Sequence, residues 1–307
     1  MKKWRIFAIG ILILLLVLIA VGVGGYYYIQ GSYNYTPTKN YPSLDKVELL
    51  DVALNHVDKI NVVLLGVDER KDDPGRSDTI MIASLDLKNK KVYILSIPRD
   101  TRVNIPNYGY TKINHAYAYG GIDLSLRTIE EFTKIPIHYY VKVNFQQFEK
   151  FIDAIGGVDI EVEKRMYYRD YTDKFLINLT PGLHHLNGKE ALGYVRFRHD
   201  PMGDLGRIER QQKFLKALFK QAKEKVNLIN LPYYISVAGS ILSTNISLME
   251  GLVIASKFLD ITENDIQTFV MPGVPENING ISYVIPDMEK LDEILNQYFR
   301  VNTKKEG

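Results

Sequence analysis

No cysteine occurs among the 307 residues. That absence excludes a disulfide framework, a thiolate zinc site and a cysteine nucleophile. A one-sided charge is missing too. Lys and Arg number 38 against 36 Asp and Glu, a net +2. Such a balance gives no footing for a nucleic-acid partner, and none is expected. There is no glycine-rich loop ending in Lys-Ser/Thr, no G-x-S-x-G elbow and no H-E-x-x-H. The usual nucleotide cradle, hydrolase elbow and zincin readings therefore fail. Disorder is excluded by the ordinary globular mix of 46% hydrophobic and 24% charged residues.

What charge there is lies unevenly. Lys2, Lys3 and Arg5 open the chain, and no acidic residue precedes Asp45. From Ile6 to Gly25 every residue is apolar or glycine. At about 1.5 Å per residue, that run spans a hydrocarbon core of roughly 30 Å. Tyr26, Tyr27 and Tyr28 follow where an interfacial aromatic belt belongs. A cleaved signal peptide is the alternative, but its apolar region is normally only about 7–15 residues. The expected organisation is a cytoplasmic tip at 1–5, a single-pass membrane anchor at 6–29 and a stalk at 30–58. An extracellular globular domain at 59–302 and a polar tail at 303–307 complete it. The positive-inside rule sets this orientation.

The globular part opens with "KINVVLLGV", a strand-like apolar run. "DTIMIASLD" and "KKVYILSI" flank "LKNK" and predict a hairpin. A helix is predicted over Asp123–Thr133, capped by Asp123, and another from Phe145 to Ile155, capped by Asn144. Gly156 and Gly157 should end the latter, because glycine takes positive φ without penalty. "HYYVKVN" and "VDIEV" read as strands. Residues 163–186 have no clear period beyond a turn at "NLTPG". Further helices are predicted at 188–194, 207–225, 247–259 and 287–299. "DIQTFVM" and "ISYVI" read as a last strand pair. The class is α/β or α+β, a mixed sheet flanked by helices.

Polar residues collect at the predicted strand ends: Asp68 after the first strand, Asp78 before the second, Arg99 and Asp100 after the third. Ligand sites in such sheets gather there. Two carboxylates could share a hard cation such as Mg²⁺. Turn chemistry for Asp68 and a salt bridge for Asp78 explain the same spacing. The stretch "YVRFRHDPMGDLGRIERQQ" adds arginines. Read as an extended segment, it points Arg196 and Arg198 the same way. On the following helix, Glu209, Lys213, Lys216 and Lys220 form a solvent stripe, with Arg207 and Gln211 opposite it. Arginine in a first turn opposes the helix dipole. Its partner is either an internal carboxylate or a bound phosphate, and the number of arginines favours the phosphate. His184–His185 and the acceptor triplets at Asn178 and Asn245 read as incidental.

These residues reach a resemblance. "LLGVDER", "RSDTIMIASLD", "LSIPRDT", "KINHAYAYGG", "VNFQQFEKFIDAIGGVDIEV", "LNGKEALGYVRFRHD" and "GDLGRIERQQ" run in order across about 61–223. They resemble the LytR-CpsA-Psr family. The resemblance implies an α/β/α arrangement around a central mixed sheet, with a hydrophobic pocket for a lipid tail. It implies a phosphotransferase that moves a glycopolymer from a polyprenyl pyrophosphate carrier to peptidoglycan, forming a phosphodiester. Wall teichoic acid, capsule and other anionic polymers are all compatible. By motif, Asp68 and Asp78 correspond to the ligands of Mg²⁺, with Mn²⁺ as a substitute. Arg99, Arg196, Arg198, Arg207 and Gln211 correspond to pyrophosphate contacts, Arg99 and Arg198 counting also as catalytic. Asp204 is the carboxylate implied to help remove the acceptor proton. Leu205 departs from the motif, where an aromatic is common, and the stalk leaves no room for the accessory domain of some relatives. The competing functions are a polyprenyl-pyrophosphate hydrolase and a non-catalytic, lipid-binding membrane regulator.

Overall fold

The computed structural model describes residues 36–38, 41, 58–69, 75–170, 175–199, 203–227 and 229–300. The expected tip, anchor and tail, and most of the stalk, lie outside them. Among the described residues no helix is long and apolar enough to cross a membrane.

Strand β1 (Lys59–Val67) shows why a sheet forms at the centre. Ile60 and Val62 point to one side, Val63, Leu65 and Val67 to the other, and all five are buried. A strand apolar on both faces must be covered on both. It pairs antiparallel with β2 (Ser77–Asp86) and parallel with β6 (Tyr139–Asn144). The predicted hairpin is present: β2 turns through residues 87–90 into β3 (Lys91–Ser96). The six-stranded sheet runs β11-β6-β1-β2-β3-β12, with β11 at Ser243–Thr244 and β12 at Ile266–Val270.

The expected terminal strand pair is corrected. β12 joins β3 in parallel, while "ISYVI" lies in β14 (Ile281–Pro286) and pairs with β13 (Gly273–Ile278). The reason is the Asn279–Gly280 turn, where φ is 53° and 81°. Asn-Gly is the two-residue loop that closes a tight hairpin.

Helices cover both faces, the α/β/α layering that the resemblance implied. Helix α1 (His115–Thr133) starts earlier than predicted and is kinked at Gly120–Gly121, where φ is −154° and 61°. Asp123 does not cap it; its carboxylate accepts from the Thr38 hydroxyl at 2.6 Å. Leu126 and Ile129 of α1 pack on the face of Val63 and Ile82, beside Leu291, Leu295 and Phe299 of the C-terminal helix. The other face carries Leu215, Phe219 and Ile254 over Ile60, Met81 and Ala83.

A further apolar cluster lies beside the sheet. It includes α2 (Phe145–Ala154), capped by Asn144 as predicted, with Gly156 and Gly157 at positive φ after it. Residues 163–186, unplaced by periodicity, contain β8 (Met166–Asp170), β9 (Phe175–Leu179) and β10 (Gly182–Leu186). The first two pair with each other, and β10 pairs with β7 (Val158–Val162). Helix α3 (Gly188–Arg196) follows. Helices α4 (Gly203–Lys225), α5 (Leu231–Ile241) and α6 (Leu248–Lys257) come next, and neither α5 nor the strand region that precedes α1 was expected from the sequence. That region is a hairpin of β4 (Arg102–Ile105) and β5 (Gly109–Lys112).

Asn187 opens α3 through a reciprocal cap, accepting from the Glu190 N–H at 3.0 Å while the Glu190 carboxylate accepts from the Asn187 N–H at 3.1 Å. Asn187→Ala is expected to cost about 1 kcal/mol. A thermal or denaturant melt of the full chain checks it; an unchanged midpoint would mean the cap contributes nothing here.

Candidate active site

Because β1 and β2 run antiparallel, the end of one meets the start of the other, and β3 ends beside them. Asp68, Asp78 and Arg99 are thereby brought together at one end of these strands. They line a cavity of about 860 Å³ whose walls also include Arg196, Arg198, Arg207 and Gln211. Of the eight expected site residues, only Asp204 is outside that lining, and it reaches the group through Arg207.

Asp78 owes its place to an irregularity. Gly66 pairs with Thr79, but Val67 pairs with Ser77, so Asp78 is an extra residue in β2. Strict alternation would turn Asp78 away from Thr79. A bulge re-aims the side chain, and both residues line the cavity. The Asp78 carboxylate accepts from Arg99 Nη1 at 2.5 Å, the salt bridge that its spacing allowed. Its carbonyl accepts from Arg207 Nη2 at 3.2 Å. Gly75, at φ 70°, lets the chain fold close against Asp68: a Cβ there would lie 2.0 Å from the Asp68 carbonyl oxygen.

Helix α4 begins at Gly203 rather than at Arg207, so Asp204 occupies the first turn. Asp204 Oδ1 lies 2.7 Å from Arg207 Nη2. Arg207 faces inward, as its spacing predicted, and is only 6% exposed. Burial lowers its pKa, and repulsion from Arg99 and Arg198 acts the same way against the pull of Asp204 and Asp78. Burial also disfavours charge on Arg99, but Asp78, Asp204 and Asp100 outweigh it and raise that pKa. The Nε atoms of both arginines are buried without a hydrogen-bond partner. Internal carboxylates are therefore present, yet they leave donors over. Gln211 donates to the Thr79 hydroxyl at 2.9 Å.

One local expectation is overturned. Arg196 is not in an extended segment; it is the last residue of α3, and Phe197 is the first with extended torsions. The Asn187 cap starts a helix that runs through the arginine. Arg196 lies over the Phe145 ring at 4.1 Å. It still meets Arg198 in the cavity lining because the chain turns at Phe197.

Periodicity missed Arg76, Lys112, Asn114 and His115, which line the same cavity. The last three sit in "KINH", where the polar run between a hairpin and a helix was the available signal. His115 has a lowered pKa, from burial first and then from Arg76 and Lys112. Among the described residues the charged lining is six cations, Arg76, Arg99, Lys112, Arg196, Arg198 and Arg207, against Asp68, Asp78 and Asp100. Such a surplus in a partly buried site selects an anion. One part of the wall is apolar and belongs to the cluster beside the sheet: Phe148, Phe151 and Ile152 from α2, Leu192 and Val195 from α3, Phe214 and Leu218 from α4.

Among the described residues no group of three or more His, Asp or Glu could hold a metal ion. Asp68 and Asp78 offer only two hard oxygen donors. That set suits Mg²⁺, which needs one or two carboxylates and completes its shell with phosphate and water. The incidental motifs stay incidental. Asn245 is fully buried and its side chain holds the Tyr140 N–H and the His138 carbonyl. His185 pairs with Asp159 at 2.5 Å.

A model of the LytR_cpsA_psr family matches residues 26–300. The polyisoprenyl-teichoic acid–peptidoglycan teichoic acid transferase TagU of Oceanobacillus iheyensis is 35% identical over 257 residues, 81% of this chain and 78% of that protein. TagV of B. subtilis has a similar structure, with a TM-score of 0.71 and 33% identity, covering 78% of this chain and 95% of that one. The LytR-CPS2A-psr family protein YwtF (TagT) of Bacillus subtilis was solved with bound octaprenyl pyrophosphate lipid. It matches at a TM-score of 0.61 and 30% identity, over 78% of this chain and 88% of its own.

Proposed function

The chain belongs to the LytR-CpsA-Psr family, and from that premise we propose that it transfers a glycopolymer from a polyprenyl pyrophosphate carrier to peptidoglycan. The observation that carries this reading is the two-part cavity. Its cationic end suits a pyrophosphate, and its apolar end, built by α2, α3 and α4, suits a polyprenyl tail. In the reaction an acceptor hydroxyl oxygen bonds to the phosphorus that bears the glycan. The bond from that phosphorus to the bridging oxygen breaks, and polyprenyl phosphate leaves with the electron pair. The acceptor proton passes to a carboxylate, the role that the family motif gives Asp204, held in the first turn of α4 against Arg207. No nucleotide is consumed, because the pyrophosphate bond supplies the driving force.

The catalytic demand is charge stabilisation. Arg99, Arg198 and Arg207 offer guanidinium forks to the phosphate oxygens, Arg196 adds positive charge from the end of α3, and Gln211 adds a neutral donor. Asp68 and Asp78 would hold Mg²⁺ or Mn²⁺, which when bound neutralises the pyrophosphate. An anchor in residues 6–29 belongs to the same proposal, since it keeps the site outside the membrane beside a donor that cannot leave the bilayer.

Reconstitution of the full chain with lipid-linked teichoic acid or capsule donors and a peptidoglycan acceptor tests the reading. Glycan joined covalently to peptidoglycan is expected. Free glycan phosphate alone would make the chain a hydrolase. Donor binding without turnover of any donor would make it a lipid-binding regulator.

A further inference from the structure

Three large aromatic side chains stand in solvent near the cavity. Tyr108 is 54% exposed, Tyr110 65% and Tyr119 44%. Tyr108 and Tyr110 belong to the β4–β5 hairpin and Tyr119 to the first part of α1. The rings of Tyr108 and Tyr119 are stacked, 4.6 Å apart at 20°. The Arg102 guanidinium lies 4.7 Å over the Tyr110 ring. The shelf is continuous with the cavity, because the His115 ring is 5.8 Å from that of Tyr119 and His115 and Lys112 both line the cavity wall.

We infer that this tyrosine shelf is the subsite for the acceptor glycan, a reading that rests on the transfer reaction proposed above. A sugar ring has an apolar C–H face and a rim of hydroxyls. Its slightly positive C–H groups match the negative face of an aromatic ring. The paired tyrosines are already ordered against each other, so little rotamer freedom is lost on binding. Arg102 supplies a cation where the carboxylates of peptidoglycan stem peptides would fall.

The geometry of displacement selects the acceptor over other occupants. Attacking and leaving oxygens must lie roughly in line across the phosphorus. The leaving polyprenyl phosphate is drawn toward the apolar wall of α2, α3 and α4. The nucleophile must then enter from the other end, where Lys112, Asn114 and His115 form the wall and the tyrosines continue it. A bilayer would be met at the end that takes the lipid tail, not here.

Binding needs no donor, so the inference can fail independently of the transfer reading. The probe is a soluble, lipid-free peptidoglycan oligosaccharide titrated calorimetrically onto the full chain in nanodiscs. The double variant Tyr108→Ala/Tyr119→Ala should bind it roughly tenfold or more weakly, the scale of losing aromatic anchors at an interface. Binding of a polyprenyl pyrophosphate should be retained. The double variant Tyr108→Phe/Tyr119→Phe keeps the rings and should restore most glycan binding. Unchanged glycan binding in the alanine variant, or an equal loss of lipid binding, overturns the subsite. Because the chain has no cysteine, Tyr110→Cys can carry a single polarity-sensitive dye. Its emission should be that of water and should shift when the oligosaccharide is added. Lipid-like emission before addition would place the shelf on the bilayer and overturn the assignment as well.

Discussion

Arg207→Ala is expected to lower glycopolymer transfer by roughly 10²–10³-fold, the cost of about 2.7–4 kcal/mol for losing a preorganised donor to developing charge. Its melting temperature is expected to stay level or rise. Both halves follow from the same geometry. The guanidinium is buried, its Nε has no partner, and Arg99 and Arg198 repel it. In the absence of an anion that charge is poorly placed. Its existing contacts, Asp204 at 2.7 Å and the Asp78 carbonyl at 3.2 Å, do not saturate it. Truncation frees Asp204, which is one-third exposed and can be solvated. Arg198→Lys separates fork from charge. It keeps the positive charge but loses the bidentate geometry, which a lysine point charge cannot supply. Transfer should fall strongly there too. Wild-type transfer in both variants, or a loss that matches unfolding, would make the cluster structural.

The second large effect is expected at the two carboxylates. Asp68→Asn and Asp78→Asn conserve volume and should keep the fold, yet each should cut transfer by roughly 10²-fold or more, several kcal/mol of lost charge stabilisation. They should differ in one respect. Asp78 neutralises Arg99 at 2.5 Å, so Asp78→Asn also releases that arginine toward Asp100, now 3.8 Å from its Nε. Asp68→Asn leaves the Arg99–Asp78 pair alone. Transfer measured against Mg²⁺ concentration, together with Mn²⁺ binding followed by electron paramagnetic resonance, separates the cases. Weaker Mn²⁺ binding in both variants supports the assignment. If both transfer at the wild-type rate under limiting Mg²⁺, the metal assignment is wrong.

Local pattern was enough for much of the scaffold. Alternation along "KINVVLLGV" places Val63 and Leu65 on one face and Ile60 and Val62 on the other, because side-chain direction in a strand depends only on position. The Asn144 cap, the glycines that end α2, and the inward face carrying Arg207 and Gln211 are equally local. Each is decided by neighbours within about one helical turn. The resemblance then brought the site residues together as a list, without their geometry.

The tertiary structure decided whatever depends on a partner far along the chain. Asp78 reaches the cavity only because β1 and β2 slip register at Gly66/Val67, which no periodicity in "RSDTIM" announces. Arg196 is the local exception: the helix expected over 188–194 runs two residues further from its Asn187 cap and takes the arginine with it. β12 pairs with β3 across more than 160 residues, while the nearer "ISYVI" is claimed by an Asn-Gly turn. The anion preference is likewise non-local. A net charge of +2 on the whole chain says nothing about a cavity where, among the described residues, six cations meet three carboxylates. Charges add up by distance in space, and only folding sets those distances.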